Sequence, residues 1–405
     1  MSTSTAEITR EKAPKRFRDM NPAEQARAIE QNHDELSRYF DLDFLKNFNE
    51  ELYDYLAHYF RPGFVGFDQL PAKNENGKPL IYACNHSGMA FPWDAIVMGS
   101  GLYKKHNYDF ANLFRALAAP ALSASTLMNP FLLTNMWKRV GALDASTLNF
   151  ETMLAYSESN ILIYPEGVPG IGKGFNRKYE LQSFSTSMIR MAIKHKTDIV
   201  GISCVNGEYI NPYSYSWKWL DRQVNKLGIP YLPVALQTPM LLLQPWTFYY
   251  AWPAKLTYVR GNRYSPSEMV SGRELNEVSQ EEIAAVRDQI QEDMQKHLNQ
   301  NVAQFGKKPF NMKELWQTLK SQWRSLPYWT PIGWPSLFSE YNRRYQRGAK
   351  PPKGITRGWL RFWKIIWHNP IIFAYFIPVI GWIPILYKGM RDRRKVDMWH
   401  GSKVK

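Results

Sequence analysis

This 405-residue sequence is poor in cysteine, since only Cys84 and Cys204 occur. Each cysteine lies within an apolar, strand-like run, which favours two buried thiols over a disulfide bond. Two free thiols suit a reducing compartment. The N-terminus, MSTSTAEITREKAPKRFRDMN, has no apolar stretch of the kind that a secretory signal requires. We expect it to form a polar arm instead.

Several catalytic and cofactor-binding motifs are also missing. The sequence contains no Gly-x-Ser-x-Gly nucleophile elbow, which argues against a serine hydrolase. It contains no glycine-rich phosphate loop of the P-loop or dinucleotide-binding type. The eight histidines show no metal-ligand spacing. We therefore expect no metal site.

Long apolar runs are present, but proline or glycine interrupts them. Residues 227–254 carry no charge and contain five prolines, which a transmembrane helix would not tolerate. We interpret this run as an apolar surface or a substrate channel, with a buried loop as the alternative. Residues 369–387 are also uncharged, with prolines at 378 and 384 and a glycine at 381. A straight helix of this length would reach about 29 Å, barely a hydrocarbon core, so docking on one leaflet is favoured over crossing. The alternative is a C-terminal subdomain that packs these aromatic side chains on the α/β body.

Positive charge is abundant, with a formal net charge of +15. Residues 351–405 contain eleven Lys or Arg residues and only two Asp, and nine of the fifteen Trp lie beyond residue 310. Basic residues interleaved with Trp and Ile suit an anionic membrane surface. Single-stranded nucleic acid would suit them as well, but no nucleic-acid-binding motif accompanies them. We therefore expect a membrane partner, at the cytoplasmic face because basic residues flank both ends of 369–387, and no nucleic acid.

The apolar periodicity alternates between strands and helices. Two helices are predicted within residues 22–60, with Asn21 as the N-cap of the first and Pro22 at its first position. Ser279 and Glu282 form a capping box that opens a late helix. Strands are predicted for FVGFDQL, KPLIYAC, NILIYPEG, DIVGISCV and AKLTYVRG, and helices for PWDAIVMGSGLY, STLNFETMLAYSE and YELQSFSTSMIRMAIKHK.

This alternation predicts an α/β fold with a mixed, largely parallel sheet flanked by helices. The predicted organisation has four parts. They are a mobile polar arm over residues 1–20, an N-terminal helical pair over 21–60, an α/β domain over 61–308 and a basic, Trp-rich, membrane-associating C-terminal extension over 309–405.

The stretch YACNHSGMAFPWDAIVM places His86 on a loop after a strand and Asp94 in the first turn of the next helix. The two ends of such a loop can be close in space although seven residues intervene. A histidine held by a carboxylate keeps one tautomer, which leaves its other ring nitrogen free to take a proton from a hydroxyl. The alternative is a loop histidine and a helix carboxylate that do not touch.

A second block, NILIYPEGVPGIGKGFNRKYELQSF, places Glu166 and Gly167 at the end of a strand. A glycine-rich turn with Lys173 and Arg177 follows. Exposed backbone N–H groups and cations form a natural anion or oxyanion site. An ordinary turn at a strand end is the alternative.

Taken in this order, the blocks resemble the glycerolipid acyltransferase superfamily, which contains the lysophospholipid and glycerol-phosphate acyltransferases. That family has a His-x4-Asp block followed by a Phe-Pro-Glu-Gly-Thr-Arg block. The stretches NHSGMAFPWD and YPEGVPG occupy these places, with His86 and Glu166 eighty residues apart. KRVGALDAS, DIVGISCVNGEY and WPAKLTYVRG resemble the intermediate and later blocks, so the resemblance covers roughly residues 60–300.

The resemblance implies an acyltransferase of lipid metabolism, as in phospholipid biosynthesis. His86 would deprotonate an acceptor hydroxyl, which attacks the thioester of acyl-CoA or acyl-carrier protein, while Asp94 orients the imidazole. The Glu166–Gly167 block would hold the acceptor lipid, and no metal or redox cofactor would be needed. The alternatives are a CoA-independent lipid transacylase and a non-catalytic lipid-binding or scaffold protein on the same fold.

The sequence departs from the family pattern at two places. The interval between histidine and aspartate is three residues longer, and Asp94 is the first acidic residue after His86. Val168 and Pro169 stand where phosphate-handling members have Thr and Arg, which removes a bidentate phosphate clamp. We therefore expect an acceptor without a terminal phosphate, such as a neutral, amino- or diacyl-lipid or another apolar alcohol. The cations that would replace the clamp are Lys173, Arg177, Arg139 and Arg115.

Overall fold

The computed structural model describes residues 15–88, 91–120, 122, 130–226, 231–235, 237–348 and 358–393. Most of the predicted polar arm and the basic end of the extension therefore lie outside the described residues. Among the described residues, seven strands form one sheet in the order β1-β7-β6-β2-β5-β3-β4. They are β1 (Gly63–Val65), β2 (Ile81–Cys84), β3 (Phe114–Ala118), β4 (Leu143–Asp144), β5 (Asn160–Ile163), β6 (Ile199–Val205) and β7 (Thr257–Tyr264).

Strands β2 to β6 are parallel to one another, while β1 and β7 run in the opposite direction. The predicted α/β fold with a mixed, largely parallel sheet is thus confirmed. The helices are α1 (Pro22–Tyr39), α2 (Leu42–Phe60), α3 (Trp93–Lys105), α4 (Met136–Arg139), α5 (Thr147–Tyr156), α6 (Val168–Ile171), α7 (Ser187–His195), α8 (Lys218–Asn225), α9 (Thr238–Leu243), α10 (Pro266–Met269), α11 (Gln280–Phe305), α12 (Met312–Ser321), α13 (Trp334–Gln346), α14 (Trp359–His368), α15 (Ile371–Ala374) and α16 (Trp382–Arg393).

Local sequence signals determine where the predicted helices begin. The Asn21 side chain accepts from the backbone N–H of Glu24, whose carboxylate accepts from the N–H of Asn21, so a capping box opens α1. Ser279 and Glu282 form the same reciprocal pair at the start of α11. Both predicted helix starts are confirmed.

The sheet buries both faces, because successive side chains of a strand point to opposite sides. In β2, Tyr82 and Cys84 belong to the core with α2 and α3, while Ile81 and Ala83 belong to the core with α5, α7 and α11. Cys84 and Cys204 are both buried and free. The prediction of two buried thiols is therefore confirmed.

The C-terminal extension begins as part of the first core. Trp334 at the start of α13 is 0% exposed. Its ring lies 4.9 Å from that of Trp93 and 5.6 Å from that of Tyr59. Residues 312–346 therefore complete the hydrophobic core between α2 and α3.

One predicted helix is wrong over its first half, and two strands were missed. YELQSFSTSMIRMAIKHK is helical only from Ser187. The backbone N–H groups before it donate to side chains instead: Gln182 to Glu166, and Leu181 and Phe184 to glutamines of α11. Strands β3 and β4 were not predicted.

None of the helices among the described residues combines the length and apolar character needed to cross a bilayer.

Candidate active site

Three adjacent parallel strands, β6, β2 and β5, carry their next residues to one edge of the sheet. His86 follows β2, Glu166 follows β5, and Glu208 lies in the 3-10 turn after β6. The loops at the carboxyl ends of parallel strands are the usual place for ligand sites in α/β proteins. The predicted blocks therefore converge at one place.

The predicted contact between His86 and Asp94 is present, because Nδ1 of His86 lies 2.7 Å from Oδ2 of Asp94. An ionised carboxylate can only accept a hydrogen bond, so the ring proton belongs on Nδ1 and Nε2 is left with a free lone pair. The His86 side chain is 13% exposed and that of Asp94 only 2%. The histidine can thus meet a ligand, while the aspartate supports it from behind.

Asp94 is held in place from several directions. The N–H of Ala95 donates to its Oδ1 at 2.9 Å, and the Tyr258 hydroxyl donates to its backbone carbonyl at 2.6 Å. The carboxylate also occupies the first turn of α3, where the helix dipole favours a negative charge. The orientation of the imidazole is therefore built into the fold.

Glu166 lies against the backbone of the His86 loop. Its Oε1 accepts from the backbone N–H of His86 at 3.0 Å and its Oε2 from that of Gln182 at 2.6 Å. Its side chain is 0% exposed. Burial raises the pKa of Glu166, while Lys173 and the two N–H donors oppose that rise. The carboxylate therefore supports the His86 loop, and acceptor binding by Glu166 stays a prediction.

Lys173 is likewise buried rather than presented to a ligand, with its side chain 1% exposed. Its Nζ lies 3.9 Å from Glu166 Oε2 and 3.4 Å from Glu208 Oε1, and it donates to the backbone carbonyl of Glu180 at 2.8 Å. Its charge is thus used inside the protein, and acceptor binding by Lys173 stays a prediction.

Gly167 forms the turn between β5 and α6, at φ 60° and ψ −149°. This conformation is almost restricted to glycine. Val168 and Pro169 then form the first turn of α6, where proline is tolerated because its missing N–H has no helical partner. Gly167 and Val168 both line a cavity beside His86. Acceptor binding by Gly167 stays a prediction.

The predicted arginines already have partners. Arg177 pairs with the exposed Glu180. Arg139 stacks over the ring of Phe44 at 4.8 Å and donates to Asn342 at 2.8 Å, so it joins α4 to α2 and α13. The structure therefore groups His86, Asp94, Glu166, Gly167 and Lys173, and it places Arg139 with the helices.

An apolar cavity of about 390 Å³ opens beside His86 and extends between α2, α3 and β3. This volume falls within the range of about 300–1,000 Å³ usual for small-molecule pockets. Its mostly apolar lining includes Leu45, Phe48, Leu52, Ile96, Ala116 and Leu117. The base predicted from sequence thus faces a site suited to a hydrocarbon chain.

Sequence reasoning missed two residues at this site. The ring of Tyr164 lies 4.3 Å from that of His86, and it lines the same cavity. Its position two residues before Glu166 was the available signal. Glu208, 122 residues beyond His86, carried no signal because its role depends on the packing of β6 beside β2. Over the described part of the chain, no group of His, Cys, Asp and Glu is arranged to hold a metal ion.

Comparison with known proteins matches residues 64–205 to the family model described as Acyltransferase. An uncharacterized protein of Mycobacterium leprae is 28% identical over 187 residues, which is 46% of this chain and 47% of that protein. An uncharacterized protein of Mycobacterium tuberculosis is 27% identical over 187 residues, 46% of this chain and 48% of that protein. The chain thus spans about half the length of these relatives.

Proposed function

We propose, on the premise that residues 64–205 belong to the Acyltransferase family, that this protein moves a fatty acyl group from an acyl thioester to the hydroxyl of a lipid or another apolar acceptor. The family match confirms the resemblance to the glycerolipid acyltransferases over those residues. One observation carries the proposal: the pair formed by His86 and Asp94 opens onto an apolar cavity.

His86 is the proposed general base. Its Nε2 takes the proton of the acceptor hydroxyl while the hydroxyl oxygen attacks the thioester carbonyl. Asp94 stabilises the imidazolium that forms, through the hydrogen bond to Nδ1. When the tetrahedral intermediate collapses, the carbon–sulfur bond breaks and the imidazolium returns its proton to the thiolate. The products are the acyl ester and a free thiol, and His86 is neutral again.

The cavity is the proposed site of the acyl chain. Burial of each CH₂ group contributes about 0.8 kcal/mol, so an apolar pocket selects long-chain acyl groups over short ones. The donor carrier is acyl-CoA or acyl-carrier protein, whose thiolate leaves readily once the hydroxyl is activated.

The acceptor is proposed to lack a terminal phosphate. Val168 and Pro169 provide no cation for one, and Lys173 is buried against two carboxylates. Arg115 is buried as well, where it donates to the carbonyl of Gly141. We expect glycerol 3-phosphate and lysophosphatidic acid to be poorer acceptors than neutral lipids at equal concentration.

The catalytic test is an acyl-transfer assay with His86→Ala and Asp94→Asn. A positioned general base is worth on the order of 10²–10⁴ in rate, so His86→Ala should lose nearly all activity and Asp94→Asn most of it. His106→Ala is the matched control, because that imidazole contacts the backbone carbonyl of Phe67 and does not line the apolar cavity. Activity of His86→Ala within about twofold of wild type would refute the mechanism. Omitting acyl-CoA while supplying a donor lipid tests transacylation.

We also propose peripheral or monotopic attachment to the cytoplasmic face of a membrane. The support is a set of exposed apolar side chains in residues 240–243 and 359–387, called here the apolar face. Its two segments are joined, since the N–H of Val379 donates to the carbonyl of Leu243 at 2.8 Å and the indole of Trp382 to that of Leu242 at 3.0 Å. The most exposed members are Leu360 (89%), Trp367 (85%), Ile383 (66%), Ile380 (65%) and Leu242 (64%).

The charges around the apolar face match an anionic bilayer. Arg361, Lys364 and Arg391 are exposed beside it. Each cation near anionic lipid adds about 1 kcal/mol of attraction. A face that combines exposed Trp, aliphatic side chains and cations suits the headgroup region of such a membrane.

Vesicle flotation of a combined variant, Leu360→Ser, Trp367→Ser, Ile380→Ser and Ile383→Ser, tests this attachment. Substitution is preferable to truncation after residue 310, because truncation would remove Trp334 from the core. We expect the variant to lose at least tenfold in binding to phosphatidylcholine–phosphatidylglycerol vesicles and to keep its folded circular dichroism spectrum. Flotation equal to wild type would show that the apolar face is not the membrane anchor.

A further inference from the structure

The buried cation at the end of the central strands has no role in the proposed chemistry. We propose that Lys173 and Glu208 are positioning residues, which act through Glu166 to hold the backbone of His86 in its reactive place. The proposal concerns the loop that carries the base, and it rests on the proposed function only for its activity readout.

The geometry links all three central strands through one ammonium group. Nζ of Lys173 lies within 4 Å of Glu166, after β5, and of Glu208, after β6. Glu166 in turn accepts from the N–H of His86, after β2. The backbone carbonyl of Glu180 accepts a further hydrogen bond from the same ammonium. Each of the three charged side chains is at most 3% exposed.

Glu166 performs its task only as a carboxylate. An ionised carboxylate offers an acceptor oxygen to each of the two N–H groups, whereas a protonated one carries a hydroxyl that must itself donate. Burial favours the protonated form, and a cation within about 4–6 Å favours the ionised form. Lys173 therefore keeps the buried Glu166 ionised, so that its carboxylate continues to accept the backbone N–H of His86.

Glu208 competes for the same cation. Its Oε1 accepts from the N–H of Tyr179 at 2.9 Å, and its Oε2 is buried without a hydrogen-bond partner among the described residues. Two carboxylates share one ammonium, so loss of Lys173 leaves two negative charges facing each other. Removal of Glu208 from such a variant should then relieve the repulsion. The other charged groups around Glu166 are His86 and, behind it, Asp94.

The test measures kcat/KM for acyl transfer against pH in Lys173→Met. We expect a loss of at least about tenfold at neutral pH, and an acid limb displaced upward by about 1–3 pH units, so that activity returns as pH rises. Adding Glu208→Gln to Lys173→Met should restore about three- to tenfold of the loss at neutral pH. Lys218→Met, on an exposed helix, is the matched control and should keep the wild-type profile.

A direct effect of Lys173 on the imidazole is separated by a double-mutant cycle in the Glu166→Gln background. If Lys173 acts through Glu166, the double variant Lys173→Met/Glu166→Gln should have the same dependence of kcat/KM on pH as Glu166→Gln alone. Three outcomes would overturn the inference. They are a pH profile that Lys173→Met still shifts in the Glu166→Gln background, a loss of kcat/KM that no pH restores, and Lys173→Met activity within about twofold of wild type. Should Lys173→Met fail to fold, Lys173→Met/Glu208→Gln carries the test, with its acid limb above that of wild type.

A second measurement does not need activity. Hydrogen–deuterium exchange at one pH should be faster for peptides containing the His86 N–H in Lys173→Met than in wild type or Lys218→Met. Equal exchange rates in Lys173→Met and wild type would overturn the inference, whatever the activity of the wild type. Wild type without acyl transfer from any donor would refute the proposed function, and the exchange comparison would still decide the role of Lys173.

Discussion

The two halves of the C-terminal extension have similar compositions, but they differ in how many large apolar side chains they leave exposed. In residues 312–346, Trp334 and Tyr328 are 0% exposed. In residues 359–393, Trp367 is 85% exposed and Leu360 is 89% exposed. Both halves are rich in Trp and in basic residues, so composition alone does not separate a structural segment from a surface one. The distinction depends on which face the rest of the chain leaves open.

This contrast revises the interpretation of residues 309–405 as one membrane-associating extension. The first half fills the space between α2 and α3, where Phe338 and Tyr341 pack on Phe48. The second half buries the inner side of α14, through Phe362, Ile365 and Ile366, and leaves the opposite side exposed. Behind α14 it also buries Ile372, Tyr375 and Ile385. The first half is thus part of the core, and the second is the candidate for membrane contact.

The largest effect expected on stability is that of Trp334→Ala, at about 3–5 kcal/mol of unfolding free energy. The substitution leaves a cavity against Trp93, Tyr59 and Phe60. Trp367→Ala is the matched control, because the same atoms are removed from an exposed position. Urea unfolding measures the stability of both variants. Equal unfolding midpoints would show that Trp334 is no more important to the core than Trp367.

A smaller effect is expected of Glu340→Gln, because Glu340 joins the two halves. Its fully buried carboxylate accepts from Arg343 and from Asn369 just after α14. We expect a loss of about 1–3 kcal/mol at neutral pH, since Arg344 and Arg343 remain partly exposed and hydrated.

The same residue predicts a pH dependence. Burial alone would raise the pKa of Glu340, but hydrogen bonds from Arg343, Arg344 and Asn369 lower it to about 2. A lowered pKa stabilises the folded state above the unfolded value of 4.5, and this stabilisation is lost as pH falls towards 2. The difference in thermal stability between wild type and Glu340→Gln should therefore shrink between pH 7 and pH 3. A difference that is constant over this range would contradict the assignment.

The smallest effect on stability is expected of Leu360→Ala, within about 0.5 kcal/mol. Its side chain is 89% exposed, so little apolar area leaves a packed environment. Flotation with anionic vesicles should nevertheless weaken. A clear fall in the urea midpoint would mean that the outer side of α14 packs within the folded protein, which would remove it from the apolar face.

Local patterns were sufficient for much of the fold. The alternation of apolar runs identified five of the strands, and capping residues located the starts of α1 and α11. Strand β3, FRALA, was missed because an arginine interrupts a short run whose partner strands are distant in sequence. Residues 179–186 were predicted to be helical because their periodicity is helical, yet Glu166 and α11 supply the partners for their N–H groups.

The candidate site divides in the same way. The pairing of His86 and Asp94 was predictable because a strand, a loop and a helix start bring them together locally. The burial of Glu166 and Lys173 was not predictable, since charged side chains are normally assigned to the surface. Their partner Glu208 becomes visible only once β6 lies beside β2.

The apolar face has a consequence for the protein in water. Exposed apolar surface of this kind promotes association between copies of a protein. The formal charge of +15 opposes that association, and dissolved salt screens the repulsion. Higher ionic strength should therefore increase self-association in buffer while it weakens binding to anionic vesicles. The two kinds of contact thus respond to salt with opposite sign, and a salt titration distinguishes a copy of the chain from a bilayer as the occupant of the face.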